Sequence, residues 1–174
     1  MKSKNWLLGV AIYLCFCSVG CTRPTEEGME LLEQKKYEEA VEVFQKEAES
    51  GKEQAEAYRG MGIAYWEQQK YEEAKNAFQK ALDAGAEKTG TLYNLVASCE
   101  MQTGDYQSAL NHYNLGLQAE GNSPELIQEM EFNQIAAYEK MYDWESAKAK
   151  AEAYIVKYPD DEVAKKEAEF LRTR

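Results

Sequence analysis

The sequence predicts an all-α solenoid of antiparallel helix pairs, and three observations predict it. A short phrase recurs along the chain of 174 residues: Lys36-Tyr37-Glu38-Glu39-Ala40, Lys70-Tyr71-Glu72-Glu73-Ala74, Asp105-Tyr106-Gln107-Ser108-Ala109 and Asp143-Trp144-Glu145-Ser146-Ala147. Its closing alanines stand at 40, 74, 109 and 147, spacings of 34, 35 and 38 residues. A period near 34 is the mark of stacked supersecondary units. Around each phrase the apolar residues follow helical spacing, as in Tyr58, Met61, Gly62 and Tyr65 and then Ala74, Phe78 and Ala81.

The first twenty residues are of another kind. Lys2 and Lys4 precede an uncharged run from Trp6 to Gly20, after which the chain turns abruptly polar. The run is shorter than the roughly 20 residues that a membrane-spanning helix needs. A basic start, a short apolar stretch and small residues before a cut describe an export signal. Its end, Ser18-Val19-Gly20-Cys21, resembles a bacterial lipobox, with serine where leucine is usual. That resemblance implies lipidation of Cys21 and a lipid-anchored protein facing outside the cytoplasm. Ser18 and Gly20 would also suit an ordinary signal peptidase, so secreted or periplasmic release stays open.

Loss of residues 1–20 removes two lysines and no acid, moving the net charge from −11 to −13. Such a charge repels nucleic acid and anionic headgroups, so no nucleic-acid partner is expected. Of four cysteines, Cys21 and Cys99 would remain. With Cys21 acylated no intrachain disulfide is available, and a helical stack of this size needs none.

The repeat resembles the tetratricopeptide repeat, whose pattern is aromatic, leucine-glycine and tyrosine on the first helix and alanine, aromatic, alanine on the second. Residues 55–88 meet nearly all of these positions, with Ala86 in place of the terminal proline. The resemblance implies a right-handed solenoid of about four units, near 21–54, 55–88, 90–123 and 124–159, with a capping helix over 160–174. Gly62 and Ala74 are expected where the paired helices approach most closely, with Tyr65 and Phe78 filling the wider gaps. Gly28, Ala40 and Phe44 are their counterparts in the first unit, and Ala97, Ala109 and Tyr113 in the third. Glu100 stands where Tyr65 and Tyr138 stand, which implies looser packing or a buried carboxylate near a partner. Ser123-Pro124 predicts an N-cap with proline at the first helical position, opening a longer helix towards Met141. Val163, Phe170 and Leu171 are expected on one face of the last helix.

Chemistry is not expected. His112 is predicted as a solvated residue with no nucleophile or carboxylate pair around it. Cys99 matches the small core positions of Ala64 and Ala137. No zinc-type cluster or glycine-rich phosphate loop occurs, so no metal, no cofactor and no enzyme activity are predicted. In the family the concave surface is lined by first-helix residues, which the resemblance places here at Thr25, Met29 and Leu32, at Arg59, Ile63 and Trp66, at Asn94, Ser98 and Met101, and at Phe132, Ala136 and Glu139, with Asn133 alongside. Spacings of four and three put each set on one helical stripe. Trp66, Leu32 and Met101 could equally seal contacts between units. The expected role is a membrane-anchored scaffold at the bacterial cell envelope, holding a protein or peptide partner in the groove. The alternative is a non-catalytic accessory subunit that positions an envelope enzyme or a secretion or assembly complex.

Overall fold

The computed structural model describes residues 26–174, which form nine helices and, among these residues, no strand. They are α1 (Glu26–Glu33), α2 (Tyr37–Ser50), α3 (Gln54–Glu67), α4 (Tyr71–Asp83), α5 (Gly90–Thr103), α6 (Tyr106–Gln118), α7 (Pro124–Lys140), α8 (Trp144–Lys157) and α9 (Glu162–Leu171). Each helix packs on the next in sequence, and first helices also touch across units, α1 with α3 and α5 with α7. This nearest-neighbour packing makes an all-α solenoid of helix pairs. Cys21 and Thr25 lie outside the described residues.

The recurring phrase marks one turn repeated four times. Its first residue donates its N–H to the carbonyl five residues back: Lys36 to Leu31, Lys70 to Tyr65, Asp105 to Glu100 and Asp143 to Tyr138, at 2.8–3.0 Å. The preceding residue is left-handed in each case, at Lys35, Gln69, Gly104 and Tyr142. This geometry satisfies the last carbonyls of the first helix and reverses the chain at once. Asp105 and Asp143 also cap the helix that follows, accepting from the N–H of Ser108 and Ser146.

The closing alanines Ala40, Ala74, Ala109 and Ala147 are all 0% exposed. A methyl group at that point lets the paired helix come close. Gly62 lies against the Phe78 ring and Gly60 against the Phe44 ring, with no room for a Cβ at either. Glycine inside a helix costs roughly 0.5–1 kcal/mol relative to alanine; here it admits a buried aromatic ring. The core is a string of clusters along the seams rather than one central mass.

Ser123 caps α7 by accepting from the N–H of Leu126 at 3.2 Å, with Pro124 at the first position. The resulting helix has 17 residues against 14 in α3 and α5. Cys99 is wholly buried, and burial pushes its thiol up to about 12.

Two expectations need correction. On α9 the buried stripe is Ala164, Ala168 and Leu171, whereas Val163 and Phe170 are 38% and 42% exposed. Two alanines and Leu171 fill this seam, and the bulky Val163 and Phe170 fall outside it. His112 is not a solvated residue. It is half-buried, its Nδ1 donating to Glu100 Oε2 at 2.8 Å and its ring stacked on Tyr93. Glu100 is the buried carboxylate near a partner, and the partner is His112.

Candidate functional site

The groove residues separate into two ends and a middle. At the N-terminal end Met29 and Leu32 of α1 and Ile63 of α3 line a cavity of about 210 Å³, closed by Tyr37 and Glu67. Tyr37 donates its hydroxyl to Glu67 Oε2 at 3.2 Å, tying the second helix of one unit to the first helix of the next.

Arg59 and Trp66 lie on the same helix but outside this cavity's lining. Arg59 is engaged along its own helix by Glu56, with Nε at 2.8 Å from Oε2. Trp66 is half-buried against the Phe78–Leu95–Val96 cluster and meets the Tyr71 ring edge-on, with centroids 5.1 Å apart.

In the middle the chain spends its polar groups internally. Burial pushes the Tyr113 hydroxyl up, and Ser98 and Asn133 beside it partly offset that. Met101 packs against the Ala97–Ala109–Met130 cluster. Asn94 is 4% exposed; its Nδ2 donates to Glu129 Oε1 of α7 at 3.1 Å, and its Oδ1 has no partner.

At the C-terminal end Phe132 and Asn133 line a larger cavity, about 390 Å³, with Glu129, Tyr154 and Asp161. The Phe132 and Tyr154 rings meet edge-to-face at 5.6 Å. Asp161 caps α9 through Oδ1, which accepts from the N–H of Val163 and Ala164. Its Oδ2 accepts from the Tyr154 hydroxyl at 2.9 Å and from Gln128 at 3.5 Å. Burial works to raise the Asp161 carboxyl, but these donors outweigh it and hold it below its ordinary value.

Glu129, Tyr154 and Asp161 escaped the sequence reading. Glu129 had a usable signal, because it sits three residues before Phe132 on the same stripe and α7 is long enough to extend that stripe by a turn. Tyr154 and Asp161 had none, since Tyr154 is placed by the packing of α8 on α7 and Asp161 by the turn that opens α9.

Among the described residues no group of three or more His, Cys, Asp or Glu is placed to hold a metal ion. Among the same residues no helix is long and apolar enough to cross a membrane. The arrangement supplies apolar and aromatic walls with carboxylates at their edges, which suits capture of another chain.

Tetratricopeptide-repeat models match residues 31–87, 65–131 and 131–161, together spanning the stack from α1 into the turn before α9. The chain is a tetratricopeptide-repeat protein. Such proteins are in general scaffolds without catalytic function. Three of the solved structures that share the fold illustrate the likeness. YrrB, described as a tetratricopeptide-repeat protein with an unusual peptide-binding site, is 23% identical with a TM-score of 0.71, over 84% of this chain and 73% of that one. MamA is 13% identical with a TM-score of 0.73, over 84% and 83%. PilF of Pseudomonas aeruginosa is 20% identical with a TM-score of 0.58, over 84% and 63%. At these identities the likeness concerns the fold alone. Among curated proteins none matches.

Proposed function

We propose that this tetratricopeptide-repeat protein is a docking scaffold, anchored by a lipid on Cys21 to a membrane of the bacterial cell envelope. It holds an extended segment of a partner protein along the first helices of its units. One observation carries the docking part: cavities lined by first-helix residues stand at both ends of the stack, with a buried polar network between them. Two anchoring points with a braced centre suit a chain lying lengthwise better than a small compact ligand. YrrB, with its described peptide-binding site, lends this the support of a shared fold.

The anchor rests on residues 1–21, where a basic start and a short apolar run end at Gly20-Cys21. Thr22 to Thr25 are all that separate the cysteine from α1. Four residues reach at most about 13 Å, so the stack would be held close to the bilayer surface.

Two experiments test the two parts. Cys21→Ala should abolish fatty-acid labelling and move the protein from membrane to soluble fractions; an unlabelled protein that stays on membranes overturns the lipid anchor. A photo-crosslinking residue at Ile63 should capture a partner that the same residue at Gln79, exposed on a second helix, does not. Equal capture from both positions would remove the groove from the account.

A further inference from the structure

The larger cavity has a charge character that its counterpart at the other end lacks. Glu125, Glu129 and Asp161 stand on its walls, and no lysine, arginine or histidine lines it. The smaller cavity has Lys35 among its lining residues beside Glu33 and Glu67. At about 390 Å³ the larger space falls within the roughly 300–1,000 Å³ typical of small-ligand sites. The Phe132 and Tyr154 rings provide the apolar part of its surface.

Two of the carboxylates are positioned by groups behind them. Asp161 is fixed by two backbone N–H groups and by Tyr154. Glu129 is fixed by the buried Asn94 amide, whose Oδ1 is the acceptor without a partner. Both carboxylates are thereby held at the cavity wall before any ligand arrives.

We propose that this cavity takes the side chain of a lysine or arginine from the extended segment of a partner polypeptide. The methylene stem lies along the Phe132 and Tyr154 rings, and the cationic head meets Glu125 and Glu129 with Asp161 completing the field. The inference rests on the groove reading above and narrows it to a basic segment. An aromatic floor argues for a side chain with an apolar stem rather than a bare metal ion, which would need oxygen ligands all round.

The test uses the full chain in detergent and fluorescein-labelled, end-capped octapeptides in about 150 mM salt, where exposed charges are screened beyond roughly 8 Å. Three probes alternate alanine with lysine, with norleucine or with glutamate. The lysine peptide should bind at least tenfold more tightly than the norleucine peptide. The pair Glu125→Gln and Glu129→Gln, which keeps side-chain shape, should remove that advantage. The pair Glu38→Gln and Glu72→Gln, which deletes the same charge on exposed helix starts, should leave it intact. Equal loss from both pairs would show attraction to net charge alone and overturn the proposal. So would displacement of the lysine peptide by 1 mM calcium acting through Glu125 and Glu129. If the norleucine peptide binds as well as the lysine peptide and Ile63→Glu abolishes that binding, the basic-segment inference falls and the groove survives. If no peptide binds, both fall.

Discussion

Glu100 of α5 accepts the Nδ1 hydrogen of His112 of α6 at 2.8 Å, closing the third unit with a hydrogen-bonded polar pair where the second and fourth units have Tyr65 and Tyr138. A buried carboxylate is costly unless a donor meets it, and His112 is that donor.

The pair predicts a pH dependence of stability. The hydrogen bond to Glu100 raises the histidine above its ordinary value, against the opposing effect of burial and with help from the Glu100 charge. A raised folded value means that the stabilisation is complete below about pH 6.5 and is lost as pH rises through the folded value. The melting temperature of the chain should exceed that of His112→Gln at about pH 5.5 and by less at about pH 8.5. A difference that stays constant with pH would mean that the ring acts through packing alone.

A second carboxylate responds in the same direction for another reason. Burial, a hydrogen bond to Glu167 of α9 and the charge of that residue push Glu139 of α7 up to about 7, with Lys140 acting the other way. Glu139 is protonated in the folded chain below that value and charged above it, so stability declines as pH rises through about 7. Glu139→Gln keeps the shape and removes the repulsion. After allowance for solvent screening it should gain about 1–2 kcal/mol at pH 8.5 and nearly nothing at pH 5, measured by urea unfolding.

Gly62→Ala should destabilise, although alanine is the better helix former. The added Cβ would overlap Cε1, Cδ1 and Cγ of the Phe78 ring, a side chain that is fully buried. Overpacking of this kind costs typically about 1–3 kcal/mol, more than the helix gain of roughly 0.5–1. Chemical denaturation of the single variant decides the sign.

Trp66 and Arg59 should behave differently when each is replaced by alanine. The indole seals the seam against the Phe78 cluster, and its loss should cost about 2 kcal/mol, less than a fully buried tryptophan. Arg59 makes an ion pair with Glu56 on its own helix, and its loss should change stability by under about 0.5 kcal/mol. Thermal unfolding of the two variants side by side checks both.

The stacking could be read from the sequence because its requirements are local and repeated. Ala40, Ala74, Ala109 and Ala147 recur where only a methyl group fits, and Ser123-Pro124 opens α7 with groups that act within one turn. His112 was misread because its partner comes from the preceding helix, and the face that α6 turns towards α5 follows from packing rather than from periodicity. Val163 and Phe170 were misassigned because bulk is a poor guide where helices approach through alanines. The larger cavity was half legible: Phe132 lies on the stripe that the repeat marks, with Asn133 beside it, while Tyr154 joins them through the packing of α8 and Asp161 through the turn into α9.

The 17-residue length of α7 has a consequence for how a long ligand is held. A surface built from equal units has a translational symmetry, and an extended chain bound to it can slide by one unit at little cost. Three residues beyond the 14 of α3 and α5 lengthen the helix by about 4.5 Å and break that symmetry at a single place. The extra turn carries Glu125, so the odd step and the acidic wall arrive together. A strand with one residue seated there is fixed in phase along the stack.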